Sequence, residues 1–189
     1  MMNRSLILYF ALSASSLIAE TEKQVTPIFR DQDKVCWVGD SITASGLYHS
    51  YIYLYYSTRF PSLHLSFVNC GISGDNASGM LGRLDKDVYA NHPTTVTLSA
   101  GMNDVNRNLY SQTNAPTNAP VLQKQALDGY KKNIEKLADS FAAHQLRQIY
   151  LTPTIYDEDV DSTVESLRGV NGALRECSDF VLQFARSKN

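Results

Sequence analysis

The segment Gly39-Asp40-Ser41-Ile42-Thr43 follows the apolar run 35–38 and places a serine where it could act as a nucleophile. Such a run predicts a buried strand, and the turn then presents the hydroxyl at the carboxyl edge of a sheet, where open α/β sheets bind ligands. The N–H groups of the helix that follows favour negative charge at the same point. Gly-Asp-Ser is also an ordinary turn composition, so this segment alone assigns no function.

Two further polar turns follow predicted strands in the same way. They are Gly71-Ile72-Ser73-Gly74-Asp75 after strand 63–69 and Gly101-Met102-Asn103-Asp104 after strand 95–99. Parallel strands place all three turns on one edge of one sheet, although they are far apart in the chain. Their convergence is a more specific signal than any one turn.

These residue types suit acyl transfer. The Ser41 hydroxyl would attack a carbonyl. The resulting oxyanion needs donors already in position, and the candidates are the backbone N–H groups of Ser41 and Gly74 and the side-chain amide of Asn103. One such donor is worth about 3 kcal/mol of barrier.

The remaining pattern predicts the elements that hold these turns. Helices are predicted over 48–60 and 78–89, and a fourth strand over 148–152. Apolar residues at helical spacing predict two more helices, with the stripes Leu127, Tyr130, Ile134, Leu137, Phe141 and Leu167, Val170, Leu174, Cys177, Val181. Strand and helix alternate four times, which predicts a three-layer α/β/α domain with a parallel sheet.

Two connecting segments stand out. Residues 105–120 form a long polar stretch, typical of a functional rim or lid. The acidic run 157–161 does not fit a calcium loop, because Ser162 and Arg168 stand where that loop needs glycine and glutamate. We expect these acids before a helix N-terminus, with Ser162 and Glu165 as a capping box.

Composition narrows the class of protein. The chain has 189 residues, 43% of them hydrophobic, and a net charge of -2, which fits one domain with a substantial core. No basic excess indicates a nucleic-acid partner. We expect no metal and no cofactor.

The N-terminus has the layout of a secretory signal peptide. Asn3-Arg4 precedes an apolar stretch over 6–18, and Ala19 is a plausible cleavage position. We divide the chain into a signal peptide (1–19), a lead-in (20–33) and one domain (34–189). The protein is then secreted or periplasmic, without a stable membrane partner, whereas an uncleaved segment would anchor it in the membrane.

The three cysteines do not suggest a disulfide framework. Cys36 and Cys70 fall on predicted interior strands, where the default is a small buried thiol. A bridge between them in an oxidising compartment is the alternative.

The three turns, in this order and spacing, make the chain resemble the SGNH (GDSL-type) hydrolases over residues 34–189. The resemblance implies a flavodoxin-like sheet of five parallel strands. It also implies Ser41 as nucleophile and an oxyanion hole of Ser41, Gly74 and Asn103. Within the family, the chain most resembles the secreted branch that acts on carbohydrate esters, whose members are often deacetylases.

One element of the family pattern is missing. An Asp-x-x-His segment near the C-terminus should supply the base, but no histidine here has an aspartate three residues before it. We interpret His49, His64, His92 and His144 as structural or surface residues. The fifth strand is also missing, so we expect a C-terminally truncated copy that is nearly inactive as written.

Three alternatives remain open. The protein could be a lipid esterase of the lysophospholipase or thioesterase type, or a non-catalytic carbohydrate-binding relative. A flavin-binding module is a third, because residues 41–46 could hold a phosphate at a helix N-terminus. In the main hypothesis the partner is a small-molecule or polysaccharide ester, and the oligomeric state is open.

Overall fold

The computed structural model describes residues 26–158 and 165–188. The predicted signal peptide, residues 20–25 of the lead-in and Ser162 lie outside the described residues. Within the described ranges, none of the helices combines the length and apolar character that crossing a membrane requires.

Strands and helices alternate along the described chain. The strands are β1 (Lys34–Gly39), β2 (Ser66–Gly71), β3 (Thr95–Ser99) and β4 (Arg147–Leu151). The helices are α1 (Ser41–Ala44), α2 (Leu47–Arg59), α3 (Ala77–Leu81), α4 (Ala119–Ala143) and α5 (Val170–Ser187). A π-helical turn, Leu84–Val88, and two 3₁₀ turns, Tyr89–Asn91 and Arg107–Tyr110, complete the set.

The four strands form one parallel sheet in the order β2-β1-β3-β4, which confirms the predicted α/β architecture. In its register Gly39 is paired with Gly71 on one side and with Ser99 on the other. Ser99 is in turn paired with Leu151. All four strands therefore end at the same level, and their carboxyl ends form one edge of the sheet.

Helices cover both faces of the sheet. Alternate side chains of β1 point to opposite faces, so β1 contributes to a separate core on each side. Val35 and Trp37 pack with the aromatic cluster under α2, which includes Phe29 and Tyr56. On the other face, Cys36 and Val38 belong to the large core beneath α3, α4 and α5. The predicted helical stripes supply that core, with Ile134, Leu137, Phe141, Leu174 and Val181 all buried.

A groove lies along part of the sheet on the α2 side. Thr97, Ile149 and Leu151 line an apolar groove of about 520 Å³, together with Trp37 and Tyr55. Strand β4 forms one edge of the four described strands.

The predicted helix 78–89 is not continuous. Helix α3 ends at Leu81 with Gly82 as its C-cap, and Arg83 has a non-helical backbone with φ −124° and ψ 7°. The π-helical turn Leu84–Val88 follows, and Met80, Leu84 and Val88 are all buried.

The predicted capping box is wrong. Helix α5 starts at Val170, and Glu165 lies before it, where its carboxylate accepts from the hydroxyl of Ser111 and the N–H of Gln112. The cap is Glu158, whose Oε1 accepts from the N–H groups of Gly169 and Asn171 at 3.2 and 2.8 Å. An acidic residue that lies 11 residues before Gly169 in the chain therefore caps this helix.

Cys36, Cys70 and Cys177 are buried free thiols, as the default interpretation expected. Cys36 and Cys70 lie on the adjacent strands β1 and β2, and the Cys70 thiol donates to the Asp87 carbonyl at 3.1 Å. Burial raises the pKa of Cys177 to about 12, so this thiol is in its neutral form at neutral pH.

Candidate active site

The carboxyl edge of the sheet brings the three polar turns together. They begin after Gly39, Gly71 and Ser99, which are register partners on three adjacent strands. Adjacent strands lie about 4.8 Å apart, so the ends of β2 and β3 are separated by about 10 Å across β1. The sequence prediction that these distant segments share one edge is confirmed.

Ser41 is the first residue of α1 and is exposed. The residue before it, Asp40, caps this helix, because its Oδ1 accepts from the Ile42 N–H at 2.9 Å. Asp40 is only 2% exposed, and burial raises the pKa of its carboxyl. Among the described residues no group hydrogen-bonds to the Ser41 hydroxyl, so the Asp40 cap holds the turn and leaves that hydroxyl accessible.

Two glycines let the Ser41 turn sit against the strand ends. A Cβ on Gly39 would lie 2.0 Å from Thr43 Oγ1, and one on Gly71 would lie 2.3 Å from the backbone nitrogen of Ala44. Helix α1 therefore packs directly on the backbone of β1 and β2. A side chain at either glycine would push the serine turn away from the sheet.

Gly74 lies in the turn after β2. Its φ of +80° is in the left-handed region, and it is exposed, so that a Cβ added there would meet no atom within 4 Å. The turn is closed by the Asp75 N–H, which donates to the Ile72 carbonyl at 3.2 Å. Glycine is needed here for its backbone angles, and the resulting loop stays open toward solvent.

Asn103 connects the third turn to the second. Its Nδ2 donates to the backbone carbonyl of Asp75 at 2.7 Å. A primary amide has two N–H groups, so this bond fixes the side chain and leaves one N–H for another acceptor. Asn103 is therefore anchored beside the residue that follows Gly74.

Asp104 connects the third turn to the start of α3, which follows the second turn. Its Oδ2 accepts from the Gly101 N–H and its Oδ1 from the Ala77 N–H, both at 2.9 Å. Burial raises the pKa of Asp104 to about 6, against the lowering effect of these hydrogen bonds. This role of Asp104 was not predicted, although an acidic residue directly after a predicted oxyanion donor is a usable signal.

None of the four histidines forms a hydrogen bond with Ser41, and their contacts lie with other groups. His49 is buried, stacks on Trp37, and has its Nε2 3.3 Å from the Thr43 carbonyl oxygen. His64 pairs with Asp31 just before β2 begins. His92 and His144 precede β3 and β4 at the opposite edge, and His144 stacks on a tyrosine.

The described residues contain no cluster of three or more His, Cys, Asp or Glu side chains that would hold a metal ion. The chemistry available at the carboxyl edge is that of an accessible hydroxyl and nearby amide donors. The structure thus places Ser41, Gly74 and Asn103 on three turns of one edge, and their catalytic roles remain predictions.

Known proteins are similar to this chain in sequence and in fold. The family model described as GDSL-like Lipase/Acylhydrolase matches residues 35–187. An acetylxylan esterase of Geobacillus stearothermophilus is 31% identical in an 88-residue alignment covering 39% of this chain and 40% of that protein.

Two solved structures are similar over most of the described chain. One is the gut microbial diltiazem-metabolizing enzyme BT4096, with a TM-score of 0.73, 31% identity, and coverage of 86% of this chain and 35% of that one. The other is a catalytic mutant of Axe2, an acetylxylan esterase from Geobacillus stearothermophilus, with a TM-score of 0.65, 23% identity, and coverage of 85% and 75%.

The chain spans less than half the length of the curated acetylxylan esterase and of the diltiazem-metabolizing enzyme that it matches. The match to the family model, in contrast, includes all four strands and all three turns of the carboxyl edge. The chain belongs to the GDSL-like lipase/acylhydrolase family.

Proposed function

We propose that this protein is a serine esterase that removes acetyl or other short acyl groups from carbohydrate esters through an acyl-enzyme on Ser41. The observation that carries the proposal is the register of the sheet, which ends β2, β1 and β3 at one level beneath the three turns. Family membership and the similarity to an acetylxylan esterase support the reaction class and the substrate class.

In the proposed reaction, Ser41 Oγ attacks the ester carbonyl while its proton passes to a base. The carbonyl oxygen becomes an oxyanion, which the N–H groups of Ser41 and Gly74 and the free N–H of Asn103 stabilise. Because Asn103 is already held by the Asp75 carbonyl at 2.7 Å, its donor needs no reorganisation as charge develops. The protonated base then gives its proton to the departing alcohol, which leaves an acyl-serine. Water that loses a proton to the same base attacks this ester, and the acid and free Ser41 are released.

The base is the part that the described residues do not supply at this edge. The Nε2 of His49 faces the Thr43 carbonyl, and the other three histidines belong to other surfaces. The base that the proposed reaction needs is the histidine of an Asp-x-x-His segment, the element that the family pattern implies. The competing proposal is a binding protein that keeps the cleft and lacks turnover, and it is favoured by the same arrangement of histidines.

We further propose that the enzyme acts outside the cytoplasm. The support is the N-terminal pattern of Asn3-Arg4, an apolar stretch and Ala19, which is typical of a signal peptide. N-terminal sequencing of the protein recovered from its natural source tests this proposal. A new N-terminus near residue 20 is expected, and an intact Met1 in a cytosolic fraction would contradict it.

The function is tested with the protein expressed from its complete reading frame. We expect hydrolysis of p-nitrophenyl acetate and acetylated xylo-oligosaccharides, with rates that fall as the acyl chain lengthens. Ser41→Ala should lower kcat by about 1,000-fold or more without unfolding the protein. Ser50→Ala is the matched control, because Ser50 is an exposed serine on α2.

Three results would overturn or redirect the proposal. Unchanged turnover in Ser41→Ala would exclude the acyl-serine mechanism. Binding of acetylated oligosaccharide without hydrolysis would favour the non-catalytic relative. Preference for long-chain acyl or lysophospholipid substrates over acetyl esters would favour the lipid esterase.

A further inference from the structure

Arg83 lies behind the candidate active site, between α3 and the π-helical turn. Its side chain is only 13% exposed. Its backbone leaves the helical conformation, which interrupts the predicted helix at this residue. An arginine that is almost fully buried must satisfy several donors within the protein, so its partners indicate what it stabilises.

The guanidinium contacts the carboxyl ends of β1, which leads into the Ser41 turn, and of its neighbour β2. Nη2 donates to the carbonyl of Gly39, the last residue of β1, at 3.2 Å. Nη1 donates to the carbonyl of Cys70, the residue before the end of β2, at 2.8 Å. One planar group therefore fixes the spacing of two backbones at the level where the active-site turns begin.

The same guanidinium also holds the turn that contains Gly74. Its Nε donates to Asp75 Oδ2 at 2.7 Å, and the Asp75 side chain is 10% exposed. The other carboxylate oxygen accepts from the Asn76 N–H at 2.9 Å. A charge-assisted bond between two largely buried groups is stronger than its exposed equivalent, so Asp75 is held firmly.

Asp75 passes this constraint to the third turn. Its backbone carbonyl is the acceptor that fixes Asn103 Nδ2 at 2.7 Å. A continuous series of contacts therefore runs from Gly39, two residues before Ser41, through Arg83 and Asp75 to Asn103. Asn103 belongs to this series, Gly74 directly precedes Asp75, and Ser41 lies two residues after Gly39.

We propose that Arg83 is a positioning residue of the esterase site, which sets the Ser41 hydroxyl, the Gly74 N–H and the Asn103 amide in mutual register. This inference rests on the proposed function and deepens it. Arg83 itself does not touch the substrate in this scheme. Its loss should therefore lower kcat, because the oxyanion donors are displaced, and should leave KM nearly unchanged.

Lysine cannot reproduce this arrangement, since a single ammonium lacks the planar fork that reaches two carbonyls and a carboxylate together. A displacement of about 1 Å at a reacting centre costs roughly 100-fold in rate. We expect Arg83→Lys to lower kcat by about 30- to 100-fold, with KM within about two-fold of the parent value. Asp75→Asn should give a smaller loss of kcat, because it weakens only one of the contacts.

The experiment compares Arg83→Lys, Asp75→Asn and the control Asp87→Asn in the protein expressed from its complete reading frame. Asp87 makes only the weakest of the guanidinium contacts, at 3.4 Å, and contacts neither β1 nor Asn103 through its side chain. The readouts are kcat and KM for an acetyl ester, the rate of Ser41 labelling by a fluorophosphonate, and the urea unfolding midpoint.

The expected result is a parallel fall in kcat and labelling rate in the first two variants, and near-parent values in the control. If Arg83→Lys and Asp75→Asn shift only the unfolding midpoint while the folded protein keeps its kcat and labelling rate, Arg83 is merely structural and the inference fails alone. If Arg83→Lys does not fold, Asp75→Asn decides in the same way. A parent protein that neither hydrolyses esters nor labels at Ser41 refutes the proposed function and this inference together.

Discussion

Gly71→Ala is the substitution that most directly probes how the sheet supports the serine turn. The added Cβ would lie 2.3 Å from the backbone nitrogen of Ala44 and 2.7 Å from the carbonyl carbon of Thr43. Both atoms belong to the backbone of α1, so no side-chain rotation relieves the clash. Ordinary contact begins at 3.4 Å, and α1 must therefore move away from β2 by about 1 Å.

This displacement predicts two separate effects. Overpacking of this kind costs about 3 kcal/mol of folding free energy, which is roughly 6–12 °C in Tm for a domain of this size. Because Ser41 begins α1, the same movement displaces the nucleophile and should lower kcat by roughly 100-fold. Differential scanning calorimetry and ester hydrolysis below the transition measure the two effects independently.

Gly129→Ala provides the matched control. Gly129 lies inside α4, and a Cβ there would meet nothing within 4 Å. Replacing an unobstructed helical glycine should stabilise the protein by about 1 kcal/mol and leave activity unchanged. Gly71→Ala with parent stability and parent kcat would refute the claim that α1 rests on the β2 backbone.

Two further substitutions test other parts of the structure. The pKa of Asp104 is about 6 when folded and 3.8 in its unperturbed state, so the folded protein binds the extra proton. Its stability should fall by about 2 kcal/mol as pH rises from 4 to 7, and Asp104→Asn should remove that slope in urea titrations. An identical slope in the variant would contradict the assignment. Tyr56→Phe removes the hydroxyl that accepts from the N–H groups of Ile28 and Phe29 at 2.8 and 3.2 Å. It should lower the free energy of unfolding by about 1–2 kcal/mol. Tyr51→Phe, at a residue that is 69% exposed, should leave the free energy of unfolding unchanged. Equal effects of the two substitutions would refute a specific role for the Tyr56 hydroxyl.

The architecture was predictable because its signals are local and repeated. Apolar runs that each end in a polar turn defined β1 and β3, and the structure confirms both within a residue or two. Parallel pairing then follows from the alternation of strands with helices, and it placed three distant turns on one edge. The position of the three turns at one edge of the sheet could therefore be predicted from the sequence.

The connections between these turns were not predictable, because they depend on tertiary contacts. The Arg83 side chain reaches strand ends that are 13 and 44 residues away in sequence. Glu165 matched a capping-box pattern, but it binds Ser111, which is 54 residues away. A polar residue that has a strong distant partner does not follow its local pattern.

The identity of the nucleophile is the central claim, and covalent labelling tests it most directly. The protein expressed from its complete reading frame should react once with a fluorophosphonate, and peptide mass spectrometry should place the adduct on Ser41. Prior incubation with an acetylated oligosaccharide should slow that reaction. An enzyme that hydrolyses acetyl esters while its adduct lies on another residue, or while no adduct forms, would contradict the account.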